Sequence, residues 1–218
     1  MKKTLKWHIA QKAEIRWWQK YLKGKDVTAY HEWKKNYWQN ILQTIETVCP
    51  VKPGMQILDA GCGPAGIFMV LFECAVDAID PLLDSYDKNL SHFKRSEYPW
   101  VQFTNTPMEQ FATSKQYDIV FCMNAINHVI DMEYSYQLLG KWVKPGGRLV
   151  ITIDAHNYSF FKHLFRLIPG DILHPHQYDL QEYAKFITAN GMEIVMEKKL
   201  KTEFFFNHYV QVGVKREE

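Results

Sequence analysis

Three glycines and two aspartates are spaced so that they could hold a charged small molecule. Gly61, Gly63 and Gly66 follow G-x-G-x-x-G spacing directly after the apolar pair Ile57-Leu58. Glycine lets the backbone take positive φ and lets a ligand approach closely. The apolar run from Ile67 to Phe72 predicts the first turns of a helix, whose unpaired N–H groups would face that ligand. Asp59 stands two positions before Gly61, where the predicted strand emerges. A carboxylate there repels a pyrophosphate and attracts a cation such as an amino-acid ammonium. Asp80 ends a second predicted strand, Ala75 to Asp80, roughly 20 residues past the glycines, where a carboxylate can accept both hydroxyls of a ribose. The glycine spacing and Asp80 also fit a dinucleotide site, so an NAD(P)-dependent oxidoreductase stays open on these residues alone.

A second group could move a proton. Tyr117 to Asn124 predicts a strand, and Asn124, Asn127 and His128 follow at its carboxyl end. Ligands in open α/β sheets lie outside those ends. The imidazole of His128 could take a proton from an acceptor hydroxyl near neutral pH. The plainer alternative is that His128 caps or packs a short helix. His174 and His176, spaced H-x-H, lack a well-spaced acidic or Cys partner, so no metal site is expected.

These groups need a scaffold. Apolar residues at helical spacing predict helices over 5–23 and from about Asp26 or Thr28 to Val48. Short strands are predicted at Trp100 to Phe103 and Leu149 to Ile153, with a polar helical segment at 82–95 and another helix at 133–142. The turn Lys144-Pro145-Gly146-Gly147 leads into the fifth strand. Residues 155–178 carry an aromatic helix and the two histidines. Asp179 with Glu182 predicts a capping box. Two late strands, Met192 to Glu197 and Phe204 to Val214, follow, with Lys198, Lys199 and Lys201 read as a solvated turn. The segment 1–48 holds five of the seven Trp. Those rings either bury helices against the sheet or line a ligand pocket as a lid, where a cation could meet a ring face.

Composition narrows the classes. A net charge of +2 over 218 residues gives no broad basic field, so no nucleic-acid partner is expected. Four Cys without a C-x-x-C pair suggest reduced thiols in a cytoplasmic protein. No apolar run is long enough to span a bilayer.

The stretch Leu58 to Gly66 resembles the first motif of class I S-adenosylmethionine-dependent methyltransferases. Asp80 matches the second motif, Tyr117 to Asp131 the fourth, and the Lys144 to Gly147 turn is typical of the same family. Three departures stand out: Pro107 where an acidic residue is usual, a short helix after the glycines, and no glycine before the second strand. The resemblance implies a doubly wound, Rossmann-like, mostly parallel seven-stranded sheet over 49–218. It ends in an antiparallel hairpin, 1–48 forms a helical cap, and 155–178 is an insertion that would cover the acceptor site. It implies S-adenosyl-L-methionine as cofactor. Asp59, Gly61, Cys62, Gly63 and Gly66 would hold the methionine part, Asp80 and Pro81 the ribose, Met108 and Glu109 the adenine, with Asn124 and Ala125 beside them. The expected acceptor is a small, partly apolar or aromatic molecule methylated on oxygen or carbon, less readily on nitrogen. His128 would be its base, and the chain would be a monomer or homodimer. A non-catalytic module that binds the same cofactor is the remaining alternative.

Overall fold

The computed structural model describes residues 5–156, 178–202 and 206–217. Seven strands form one sheet in the order β3-β2-β1-β4-β5-β7-β6. These are β1 (Gln56–Ala60), β2 (Ala75–Asp80), β3 (Val101–Asn105), β4 (Tyr117–Met123), β5 (Val143–His156), β6 (Met192–Thr202) and β7 (Phe206–Lys215). The pairs β1–β2, β1–β4, β2–β3 and β4–β5 are parallel, and β5–β7 and β6–β7 are antiparallel. The strand order reverses between β1 and β4. Their carboxyl ends therefore open a crevice at the switch point, flanked by Gly61 and by Asn124.

The central strands read as continuous apolar runs because both sheet faces are covered. Successive side chains go to opposite faces: Ile57, Phe121 and Val150 enter one core, and Leu58, Val120 and Leu149 the other. The first core also takes Tyr30, Trp38, Ile41 and Ile45 of helix α2 (Val27–Ile45), and Leu22 of α1 (Leu5–Leu22). Helix α2 starts cleanly because Asp26 is extended and its carboxylate accepts from Ala29 N–H at 2.9 Å. The second core takes α4 (Met132–Trp142) and α5 (Leu180–Ala189). Helix α5 opens with the expected capping box of Asp179 and Glu182.

Several local expectations change. The run after Gly66 makes only one 3-10 turn, Ile67–Val70, instead of a helix. Leu71 N–H already bonds Phe68 carbonyl and β2 begins at Ala75, so no length remains for more turns. Helix α2 packs on that turn, and the Trp38 indole N–H donates to Ala65 carbonyl at 3.0 Å. The polar segment after β2 is helical only over α3 (Leu83–Asn89). Lys144 to Gly147 is a wide bulge inside β5: Tyr117 pairs with Val143, then Ile119 pairs with Arg148. Lys198, Lys199 and Lys201 lie in edge strand β6, paired to β7, not in a turn. They remain exposed and charge an edge that another chain could otherwise extend. The expected aromatic helix, His174 and His176 lie outside the described residues.

Candidate active site

The crevice at the switch point is a cavity of about 480 Å³, within the usual size range of small-molecule sites. One wall is the glycine loop, Gly61 to Ala65. Asp80 and Pro81 follow β2, Pro107 to Glu109 follow β3, and Met123 to Ala125 with His128 follow β4. The opposite wall is the helical cap, through Trp17, Trp18, Tyr21, Trp33, Lys34 and Tyr37. The cap thus takes part in both the core and the cavity.

Gly61 has φ +75° and Gly63 has φ +58°. A Cβ at Gly61 would stand 2.4 Å from the Ala125 methyl, so the loops after β1 and β4 touch through the missing side chain. At Gly63 a Cβ would stand 3.9 Å from Trp18; cap and glycine loop are neighbours there. Asn124 is also left-handed, at φ 54°, and exposed at the cavity wall. That conformation is unusual for a side-chain-bearing residue, and Asn tolerates it better than most.

Asp80 lies at the floor. Its Oδ2 accepts from Gly63 N–H at 3.0 Å and its Oδ1 from Leu82 N–H at 2.8 Å. Burial, then the nearby Glu14 charge, pushes this carboxyl well above its usual range. Glu14 itself lines the cavity and accepts from Tyr86 O–H at 3.1 Å.

Asp59 and Gly66 are placed differently from the sequence expectation. Neither lines the cavity. Asp59 is fully buried behind the loop, where its Oδ2 accepts from Phe68 N–H at 3.2 Å. A Cβ at Gly66 would meet that same oxygen at 2.5 Å, so Gly66 makes room for Asp59, not for a ligand. Burial raises the Asp59 carboxyl to about 7, and its Oδ1 has no hydrogen-bond partner among the described residues. Cys62 reaches the wall, but burial, then the Asp59 and Asp80 charges, hold its thiol well above the ordinary value. It is therefore a small apolar wall residue and not a nucleophile.

On the adenine side, Met108 is buried in the wall. The Oε1 of Glu109 accepts from Ile130 N–H at 2.6 Å, tying the β3 loop to the β4 loop. Asn127 is removed from the reaction centre. It is buried and accepts from Tyr183 O–H at 2.6 Å, because the 3-10 turn Ile126–His128 points it into the second core. His128, next along the chain, is half-buried and lines the cavity.

Lys34, read from the sequence as part of the outer face of its helix, also lines the cavity, as do Glu14, Thr152 and His208, which the sequence reading did not assign to it. Lys34 Nζ lies 5.1–5.4 Å from the Trp33, Tyr37 and Trp38 rings. Burial lowers its pKa to about 8. His208 shares a face of β7 with Val210 and Val212, and a polar residue in that apolar row was the available signal.

The methyltransferase domain family matches residues 51–201. The chain belongs to that family. A ubiquinone biosynthesis O-methyltransferase of Rhizobium etli is 28% identical over 71% of this chain and 64% of its own length. The human mitochondrial protein of the same name is 35% identical over 72% of this chain and 45% of its own. The chain thus spans less than two thirds of either relative. A Burkholderia thailandensis 1,6-didemethyltoxoflavin-N1-methyltransferase, solved with S-adenosylhomocysteine, shares the fold with a TM-score of 0.65 at 15% identity. That match covers 96% of this chain and 88% of the other. The chain has the sheet and hairpin expected from its motifs, and its family is not that of the NAD(P)-dependent reading. Among its described residues no helix is long and apolar enough to cross a membrane.

The residues present fit the family's methyl donor, S-adenosyl-L-methionine. Asp80 at the floor suits a ribose diol, Met108 and Pro107 offer apolar walls to a base, and the glycine loop leaves room for a backbone-held amino acid.

Proposed function

We propose that this methyltransferase moves the methyl group of S-adenosyl-L-methionine to an oxygen of a small, partly aromatic acceptor, with carbon as a less favoured target. The donor supplies an already activated methyl. The chain's work is to align the acceptor, exclude water and remove a proton. The observation that carries this reading is the continuity of one cavity from Asp80 and the glycine loop to the aromatic wall of the cap. Trp17, Trp33 and Tyr37 offer an acceptor ring large apolar faces. The O-methyltransferase names of the relatives support oxygen as the target.

Within the site, Gly61, Cys62 and Gly63 would hold the methionine part, and Asp80 with Pro81 the ribose. Met108, Glu109, Asn124 and Ala125 would surround the remainder. Asp59 and Gly66 act on the donor through the loop they build. His128 lies at the β4 end of the cavity as a proton-accepting group. The segments 1–48 and 49–218 would act as cap and catalytic domain.

The experiment is a methyl-transfer assay with radiolabelled S-adenosyl-L-methionine against catechols, hydroxyquinones and amines of similar size. Methylation of the hydroxylated set is the expected result. Labelling of amines alone would overturn the oxygen assignment. Donor binding with no transfer to any member would favour a non-catalytic module.

A further inference from the structure

Asp154, His208 and Tyr37 form a chain of polar contacts that ends in the cavity. His208 Nδ1 lies 2.7 Å from Asp154 Oδ1, and His208 Nε2 lies 3.2 Å from the Tyr37 hydroxyl. Tyr37 and His208 both line the cavity. The arrangement has a simple origin. Asp154 and His208 are register partners across the antiparallel β5–β7 pair, so their side chains share one sheet face. Thr152 and Val210, the next pair inward, share it too. Helix α2 lies over that face and lowers Tyr37 onto the imidazole.

The protonation pattern follows from the partners. A carboxylate accepts only, so Nδ1 carries the hydrogen that it donates to Asp154; in the neutral imidazole Nε2 is then the acceptor. The Tyr37 phenol, raised to about 12 by burial and then by the Asp154 charge, stays neutral and donates to it. The result is an imidazole held in one tautomer, with its basic nitrogen facing a cavity. Such a pair, a base oriented by a carboxylate, is how a His is prepared to take a proton.

We propose that the Asp154–His208 pair, with Tyr37 as its cavity-side contact, receives the proton of the acceptor hydroxyl. This rests on the oxygen-acceptor reading above and puts this pair, in place of His128, as the final acceptor of that proton. The acceptor O–H would bond Tyr37 or Nε2 directly. As the acceptor oxygen bonds the methyl carbon, the carbon–sulfur bond breaks with its electron pair left on sulfur. The proton passes to Nε2, either directly or by way of the Tyr37 hydroxyl. Asp154 then balances the imidazolium until the proton leaves to solvent. Among the described residues, Lys34 on α2 lines the same cavity, as do Glu14, Asp80 and Glu109, and Lys201 on β6 is the register partner of His208.

The test uses 4-nitrocatechol, whose phenolate absorbs visible light, added to the chain saturated with S-adenosylhomocysteine. In the wild type the bound catechol should ionise about one pH unit or more below the free dye. In Asp154→Asn and His208→Gln that shift should vanish, while S-adenosylhomocysteine affinity, read by calorimetry, stays within about twofold. Tyr37→Phe should reduce the shift without abolishing it. Should His208→Gln fail to fold, Asp154→Asn carries the test, since Asn can still accept from Nδ1. Equal ionisation in wild type and both variants would overturn the proposal. Failure of nitrocatechol to bind the wild-type complex would also overturn it, and would remove the oxygen-acceptor reading beneath it.

Discussion

Gly61 and Ala125 stand so close that a Cβ at position 61 would lie 2.4 Å from the Ala125 methyl. The two residues follow β1 and β4, the neighbours between which the strand order reverses. Their contact sets the width of the crevice in which the donor is proposed to lie.

Gly61→Ala should therefore combine a steric overlap with a backbone at φ +75°. Together these cost on the order of 2–4 kcal/mol. The melting temperature should fall, and S-adenosylhomocysteine affinity should fall about tenfold or more. Adding Ala125→Gly removes the overlap but not the φ penalty, so the double variant should recover part of both losses. A double variant no better than Gly61→Ala would show that the contact is not what the glycine serves.

The buried carboxyls predict a pH dependence. Asp59 is raised from 3.8 to about 7 in the folded chain, so the folded state binds more protons than the unfolded one between those values. Its stabilising contribution is complete below about pH 4 and is lost as pH rises through 7. Asp59→Asn should melt higher than wild type at pH 8, and the gap should close by pH 5. Thermal melts across that range check this. Asp80 is raised too, and its ionised form is the one suited to ribose hydroxyls. Binding of S-adenosylhomocysteine should strengthen from pH 6 to 8 and release protons. Asp80→Asn should weaken it about tenfold and flatten its pH dependence.

Lys34 gives the opposite sign. Its amine is lowered from 10.5 to about 8 by burial, so the unfolded chain holds more protons between those values and stability rises with pH across them. Below pH 8 the charged amine is a cost, only partly offset by the three rings around it. Lys34→Met should stabilise the chain at pH 7 by on the order of 1 kcal/mol. The gain should shrink above pH 10 in denaturant titrations.

Asn127 separates structure from chemistry. Its side chain accepts from Tyr183 O–H inside the second core. Tyr183→Phe leaves that acceptor without its donor, at a cost of about 1–3 kcal/mol. The melting temperature should drop while S-adenosylhomocysteine affinity holds. A large affinity loss instead would return Asn127 to the reaction centre.

The parts legible in the sequence were those decided locally. Gly61 and Gly63 carry the positive φ their spacing implied, Asp80 ends its strand at the cavity, and the Asp179–Glu182 box caps its helix. The misread parts depend on distant neighbours. Nothing near Ile67 shows that α2 will occupy the space of the missing helix. Nothing near Asp59 shows that Gly66 will admit its carboxylate behind the loop. Asn127 turns inward because of Tyr183, 56 positions away. His208 meets Asp154 because two strands pair across 54 positions, a register that exists only once β5 and β7 are joined.

The most direct measurement is calorimetric titration of the wild-type chain with S-adenosylhomocysteine, beside NAD and NADP. The account predicts saturable binding of S-adenosylhomocysteine, weakened by Asp80→Asn, and no heat of binding from either dinucleotide. Binding of NAD or NADP with none of S-adenosylhomocysteine would contradict it and make the glycine crevice a dinucleotide site.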